Sequence, residues 1–166
     1  MKVTANKSDL DQMVLREAFG CFPSGVTAFC GMVSGKPEGI AASSFTSVSL
    51  DPALVSVSVA HTSSTWPKLA DLDRLGLSVL SDDHGPVARA LSSKADDRFA
   101  GIDWHATESG AVFVEGAALS LECAPYDTIN AGDHKIVLME VVGLTMSTSI
   151  EPIVFHRSAF RHLNAG

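Results

Sequence analysis

The chain is poor in basic residues and in long apolar runs. Twelve lysines and arginines stand against 19 aspartates and glutamates in 166 residues, which gives a formal charge of −7 at pH 7. Nucleic acid is therefore not expected as a partner, because phosphate binding needs clustered positive charge. A local basic pocket for one small anion stays open. The apolar stretches fall short of the roughly 18–20 residues of a membrane span, so no membrane partner is expected.

Cysteine is also scarce. The three cysteines, Cys21, Cys30 and Cys123, are odd in number and show no CxxC spacing, which does not indicate a disulfide framework. The N-terminal segment has no apolar stretch of the kind found in signal peptides. We therefore expect the protein in the reducing cytoplasm.

Several catalytic and cofactor motifs are missing. The six histidines are scattered singly, without the spacing of a metal site. There is no GxSxG sequence and no Walker A or GxGxxG sequence. The sequence therefore predicts no metal centre, no serine nucleophile, and no P-loop or Rossmann nucleotide site.

What the chain does contain is many short strands. A hydrophobic content of 46% is enough for the core of one domain over residues 1–166, with residues 1–8 as a disordered tail. Runs of alternating or β-branched residues, separated by glycine and proline turns, predict a barrel with a few short helices. The expected strands cover 26–33, 40–49, 53–60, 74–81, 117–126, 135–147 and 153–156. The expected helices cover 9–20 and 64–72, whereas 85–92 and 95–100 are expected to be helical or turn-like.

The stretch Ala41–Ser49 is rich in small hydroxyl side chains, with four serines and one threonine in nine residues. A strand that only filled a core would carry valine, isoleucine and leucine. Small side chains would let a flat ligand approach the main chain, whose amides would bond to the edge of a heteroaromatic ring. The alternative is a half-exposed strand with a serine face, which the local sequence alone favours.

Two further segments are candidates for ligand contacts. His61–Pro67 joins a strand to a short helix, where hydroxyls and free amides would bind a phosphate; the alternative is simple N-capping by Ser63 or Ser64. Asn130–Lys135 interrupts two strand-like runs. There His134 would contact a ligand near neutral pH, or else lie exposed beside an ordinary turn.

Six landmarks, taken in order, resemble those of the short-chain flavin reductases. These proteins have the FMN-binding split-barrel fold and are the reductase components of two-component flavin-dependent monooxygenases. The resemblance covers about 15–163 and depends on the order and spacing of the landmarks. They are Phe22–Thr27, Ser43–Pro52, Thr62–Thr65, Asp97–Gly101, Gly132–His134, and Glu151–Pro152 with Phe155–Arg157.

The resemblance implies a mainly β protein, a six-stranded antiparallel Greek-key split barrel with a few short peripheral helices, that forms homodimers. It also implies an NAD(P)H:flavin oxidoreductase that reduces FMN or FAD by hydride transfer and supplies the reduced flavin to a separate oxygenase. The choices between FMN and FAD, and between NADH and NADPH, stay open.

The resemblance also assigns site residues. The main chain at Ala41, Ala42, Ser43 and Ser44 would hold the flavin ring. His134 would be the catalytic residue, positioning the nicotinamide without donating a proton. The other expected cofactor contacts are Ser47, Ser58, Val59 and Ala60 near the flavin ring, Ser63, Ser64 and Thr65 near its phosphate, Phe99, and Phe155 with Arg157.

Some positions depart from the family's pattern. Ala41 and Lys135 each stand where threonine is frequent, and Ser64 stands where arginine is frequent, so Lys135 is a candidate to replace that charge. Phe155 and Phe160 stand where tyrosines are common. Two alternatives use the same fold: a flavin enzyme of the pyridoxamine-phosphate-oxidase type, and a non-catalytic flavin- or haem-binding protein.

Overall fold

Strands account for most of the regular structure in residues 3–163, the part of the chain that the computed structural model describes. The helices are α1 Gln12–Phe19, α2 Trp66–Leu69 and α3 Gly85–Ser92, preceded by a 3-10 turn at Lys7–Asp9. The strands are β1 Ser24–Gly25, β2 Thr27–Val33, β3 Lys36–Ala42, β4 Thr46–Leu50, β5 Ala53–Ala60, β6 Leu75–Val79, β7 Trp104–Ala106, β8 Val112–Val114, β9 Leu119–Ala131, β10 His134–Met146, β11 Val154–His156 and β12 Ala159–Arg161.

Seven strands form the main antiparallel sheet, in the order β3-β2-β6-β9-β10-β5-β4. Two small sheets, β1-β11-β12 and β7-β8, flank it. The mainly β, antiparallel split-barrel fold is thus confirmed, with seven strands in the main sheet where six were predicted. Among the described residues, no helix has the length and apolar character that a membrane crossing requires.

Two hydrophobic clusters lie on opposite faces of the sheet. Phe29 of β2 packs into the first cluster with Val57, Leu77 and Met139, whereas its neighbour Ala28 packs into the second. Successive side chains of a strand point to opposite faces, so β2 is buried on both. The second cluster joins the sheet to α3, β8 and β11 through Leu91, Val112 and Ile153.

The first helix begins later than predicted. Asp11 is its N-cap, and the Asp11 carboxylate accepts the Val14 amide at 2.8 Å, so α1 covers Gln12–Phe19 rather than 9–20. The predicted tail over 1–8 stays a prediction: Lys7–Asp9 form the 3-10 turn, and residues 1 and 2 lie outside the described residues.

The predicted strand 40–49 is in fact two strands. Its first part belongs to β3, which already begins at Lys36, and its second part is β4. Pro37 lies inside β3, where turn chemistry was predicted, because β3 is an edge strand and does not need every amide for pairing. The turn falls instead at Ser34 and Gly35, which both have positive φ. Ser43, Ser44 and Phe45 therefore leave the sheet between its two edge strands.

Candidate active site

The break between β3 and β4 is held open by a serine side chain. The Ser58 amide donates to the Ser44 hydroxyl oxygen at 2.8 Å, and the Ser44 hydroxyl lies 3.1 Å from the Ser58 carbonyl oxygen. Thr46 pairs with Ser56, so Ser44 stands opposite Ser58 two residues further along the same ladder. The hydroxyl replaces the main-chain groups that Ser44 would otherwise use for pairing.

The main-chain amides at this break are available to a ligand. Within residues 3–163, the amides of Ser43, Ser44 and Phe45 have no hydrogen-bond acceptor from the protein. Ser44 and Phe45 are partly buried, whereas Ser43 is exposed. Buried amides are normally paired, so the free amides at this break are available to an external acceptor.

The second wall of the site is the start of α2. Trp66 is buried and stacks on Phe29 with ring centroids 5.9 Å apart, which fixes the short helix against β2. The N-cap of α2 is Thr65, whose side chain makes no capping bond, so the predicted N-capping by Ser63 or Ser64 is wrong. The Ser63 hydroxyl oxygen instead accepts the Trp66 amide at 3.1 Å from two residues before the N-cap. The Ser63 hydroxyl still has its own proton to donate, and the Ser64 amide has no acceptor among the described residues.

These walls enclose an inner cleft of about 500 Å³. It contains most of the residues that the sequence analysis assigned to the cofactor. These residues come from three separate segments and from the start of β10. The assigned residues that line it are Ala41, Ala42, Ser43, Ser44, Ser58, Val59, Ala60, Ser63, Ser64, Thr65 and His134.

His134 lies at one end of the inner cleft, at the start of β10 opposite Ala60. Gly132 and Asp133 form the two-residue loop between β9 and β10, with positive φ at Gly132, so the predicted turn is also confirmed. His134 Nδ1 lies 2.7 Å from the Asp133 carboxylate, and this hydrogen bond, with the charge of the imidazole, lowers the pKa of Asp133. When the imidazole is neutral and Nδ1 carries its proton, Nε2 is left as an acceptor for the ligand.

Four assigned residues lie away from the inner cleft. Ser47 is exposed on β4, opposite Val55. Phe155 packs against Phe160, with ring centroids 5.7 Å apart, in the second hydrophobic cluster. Arg157 lies in the turn between β11 and β12. Its amide donates to the Gly20 carbonyl at 2.9 Å. Cofactor contacts by Ser47, Phe155 and Arg157 stay predictions. Phe99, the fourth residue, lines a second cavity.

This outer cleft, of about 560 Å³, adjoins the inner one. Lys94 and Arg98 line both clefts, and they were not assigned to the flavin. Arg98 Nη1 donates to the Thr65 hydroxyl oxygen at 2.8 Å and lies within 3.5 Å of the Gly39 and Leu91 carbonyls. The positive charge beside Ser64 therefore comes from Lys94 and Arg98, whereas Lys135, the predicted replacement, does not line the cleft.

The fold and the cleft together define a class of protein. A split barrel that offers free main-chain amides, small hydroxyls and two cations at one cleft suits a flat cofactor that ends in a phosphate. The chain belongs to the family described as "Flavin reductase like domain", which matches its residues 19–164. The resemblance found in the sequence is thereby confirmed.

Individual relatives agree with this assignment. The flavin reductase of Pseudomonas putida is 33% identical over 155 residues, which cover 93% of this chain and 91% of that protein. The reductase component of the flavin-dependent trigonelline monooxygenase of Acinetobacter baylyi is 36% identical over 147 residues, or 88% of this chain. The match covers 47% of that relative, so this chain spans about half its length.

A solved structure has the same fold throughout. It is the NADH:FAD oxidoreductase of Streptomyces globisporus C-1027 in complex with NAD and FAD fragments. It superposes with a TM-score of 0.87 at 37% sequence identity, and the match covers 93% of each chain.

Proposed function

We propose that this protein is an NAD(P)H-dependent flavin reductase that reduces FMN or FAD and supplies the reduced flavin to a separate monooxygenase. Its family membership and the names of its relatives support the reaction. The single observation that carries the proposal is the pair of free amides at Ser43 and Ser44, two residues that line a cleft of about 500 Å³.

The residues present fit a flavin. The ring's carbonyl oxygens and nitrogen acceptors match the free amide donors of Ser43 and Ser44. The phosphate matches the hydroxyl of Ser63, the free amide of Ser64, and the charges of Lys94 and Arg98. Small side chains at Ala41 and Ala42 leave room for the ring to lie against the main chain.

When bound, a flavin supplies the two-electron redox chemistry, with the hydride coming from a reduced nicotinamide. The protein's own contribution is to hold and orient the two rings. His134 lines the cleft, and its Nε2, when unprotonated, would accept from the carboxamide of a nicotinamide. Asp133 keeps the imidazole in that orientation.

The proposal includes a homodimer and a cytoplasmic location. Large apolar residues are exposed in the single chain, among them Met13 and Phe19 of α1 and Leu144 and Met146 of β10. The relative exposure of these four residues is 62–79%. A second copy would cover such a surface. The three cysteines are free thiols, which suits a reducing compartment.

The test is steady-state oxidation of pyridine nucleotide, with FMN and FAD crossed against NADH and NADPH. We expect turnover only when flavin is added or stays bound to the protein through purification. Free reduced flavin reacts with oxygen in air, so it is detected as hydrogen peroxide. Purified protein that binds neither flavin, by absorbance or by fluorescence quenching, would contradict the proposal. Flavin binding without nucleotide oxidation would indicate a binding module instead.

A further inference from the structure

The Arg98 side chain joins three segments of the chain beside the inner cleft. Its Nη1 donates to the Thr65 hydroxyl oxygen at 2.8 Å, and it lies 3.4 Å from the Gly39 carbonyl oxygen and 3.5 Å from the Leu91 carbonyl oxygen. Gly39 belongs to the edge strand β3, and Leu91 lies in the last turn of α3, whose final carbonyls have no acceptor role within the helix. One nitrogen atom therefore ties the start of α2 to β3 and to the end of α3.

This contact takes the Thr65 hydroxyl away from helix capping. A threonine at the N-cap commonly accepts an amide of the first helical turn, but the Thr65 side chain makes no such bond and is buried against Arg98. The Trp66 amide is accepted by the Ser63 hydroxyl oxygen at 3.1 Å instead. Ser63 and Thr65 thus hold the turn between them from its two ends, and the amide of Ser64 in its middle has no acceptor among the described residues.

The two cations that line both clefts differ in how they are held. The Lys94 side chain makes no hydrogen bond or ion pair within residues 3–163, so it contributes charge alone. The Arg98 guanidinium is a planar group whose donors have fixed directions, whereas a lysine ammonium is a point charge on a flexible stem. Replacement of Arg98 by lysine would therefore keep the charge at the cleft and lose the fixed geometry that joins the three segments.

We propose that Arg98 is a positioning residue for the flavin phosphate. Through the Thr65 hydroxyl it holds the Ser63–Thr65 turn in the conformation that leaves the Ser64 amide free for the phosphate. The inference rests on the proposed function, because it needs a flavin in the inner cleft. Arg98 and Thr65 then contribute to phosphate binding as a coupled pair, whereas the contribution of Lys94 is independent of Thr65.

A double-mutant cycle tests this coupling, with the Kd values of FMN and of riboflavin, which lacks the phosphate, measured by fluorescence titration. Thr65→Val should raise the Kd of FMN about tenfold in the parent protein, because a hydrogen bond to a charged group is lost. In the Arg98→Lys background the same change should alter the Kd of FMN less than about twofold. The Kd of riboflavin should stay within about twofold throughout. Thr65→Ser, which keeps the hydroxyl, should restore most of the FMN affinity.

Lys94→Gln is the matched control, since it removes a cation that lines the same clefts. In this background Thr65→Val should weaken FMN by the same factor as in the parent. If that factor is also the same in the Arg98→Lys background, Thr65 acts independently of Arg98 and the inference is overturned. Equal weakening of FMN and riboflavin by Thr65→Val, or no weakening of FMN, would overturn it without any Arg98 variant. The proposed function survives these outcomes, and it fails only if the parent binds neither flavin or oxidises no pyridine nucleotide.

Discussion

The neighbouring residues Ser43 and Ser44 of the candidate site have different structural roles. The Ser44 side chain joins the two edges of the sheet through Ser58, whereas the Ser43 side chain makes no hydrogen bond within the described residues. Ser43 therefore matters through its amide and its small size. We expect Ser43→Trp to lower flavin affinity at least tenfold by filling the cleft, and Ser43→Ala to bind flavin as the parent does.

Fluorescence titration with FMN and thermal unfolding separate these effects. Ser44→Ala removes both bonds to Ser58 and should cost about 1–3 kcal/mol of stability, because the Ser58 amide loses its acceptor. Ser43→Trp should leave the melting temperature nearly unchanged. A Ser43→Trp variant that binds FMN as tightly as the parent would show that this segment is not the flavin site.

His134 is expected to affect nicotinamide binding and not flavin binding. It lines the end of the inner cleft, and its ring is oriented by Asp133 at 2.7 Å. His134→Ala should raise the KM for NADH about tenfold, as a charge-assisted or well-placed hydrogen bond is lost, while the Kd of flavin changes less than twofold. Asp133→Asn, which keeps the ring but weakens its orientation, should give a smaller rise in the same constant. Unchanged NADH kinetics in His134→Ala would refute the assignment.

At the scale of elements, the start of α3 contains a titratable group. His84 Nδ1 accepts the Ser81 amide at 3.0 Å, a bond that only the unprotonated nitrogen can accept. Burial lowers the pKa of His84 below its ordinary value of 6.5. As the pH falls below 6.5 the unfolded chain takes up this proton first, so the stabilisation by neutral His84 is complete above 6.5 and is lost as the pH falls towards the folded-state pKa.

We therefore predict that His84→Asn, which offers an oxygen acceptor to the same amide, flattens the dependence of unfolding free energy on pH between 7 and 5. Urea unfolding at several pH values measures this slope. His61→Asn is the comparison, because His61 is exposed and its side chain makes no hydrogen bond within the described residues. A slope in His84→Asn that equals the parent's would show that His84 is not responsible.

The elements differ in how well their sequences predict them. β5 begins and ends where its sequence pattern does, because the alternation in Ala53–Ala60 is a local signal. Gly85–Ser92, for which the sequence allows a helix or a turn, is the helix α3. The break at Ser43–Phe45 was not predicted, since these residues are compatible with a strand. It depends on Ser44 bonding to Ser58, fourteen residues away. The role of Arg98 was missed for the same reason, since its partner Thr65 is 33 residues distant.

At the scale of the molecule, several large apolar side chains are exposed in the single chain. Every residue of α1 is at least partly exposed, although an isolated helix of eight residues is marginal in water. Its apolar side chains Met13 and Phe19 are each more than 70% exposed. A partner surface would stabilise this helix, and a second copy of the chain is the partner that we propose.

We predict that the protein sediments as a dimer and that Met13→Lys combined with Phe19→Lys weakens the dimer at least about 100-fold. Burial of a Met or Phe side chain contributes roughly 1.5–3 kcal/mol, so two such losses are enough for this change. Glu17→Lys is the matched control, because it alters the charge of the same helix at an exposed polar position. Sedimentation equilibrium over a range of concentrations measures the effect. A monomeric parent would refute the dimer. If the double lysine variant forms a dimer as strong as that of Glu17→Lys, the interface lies elsewhere than α1.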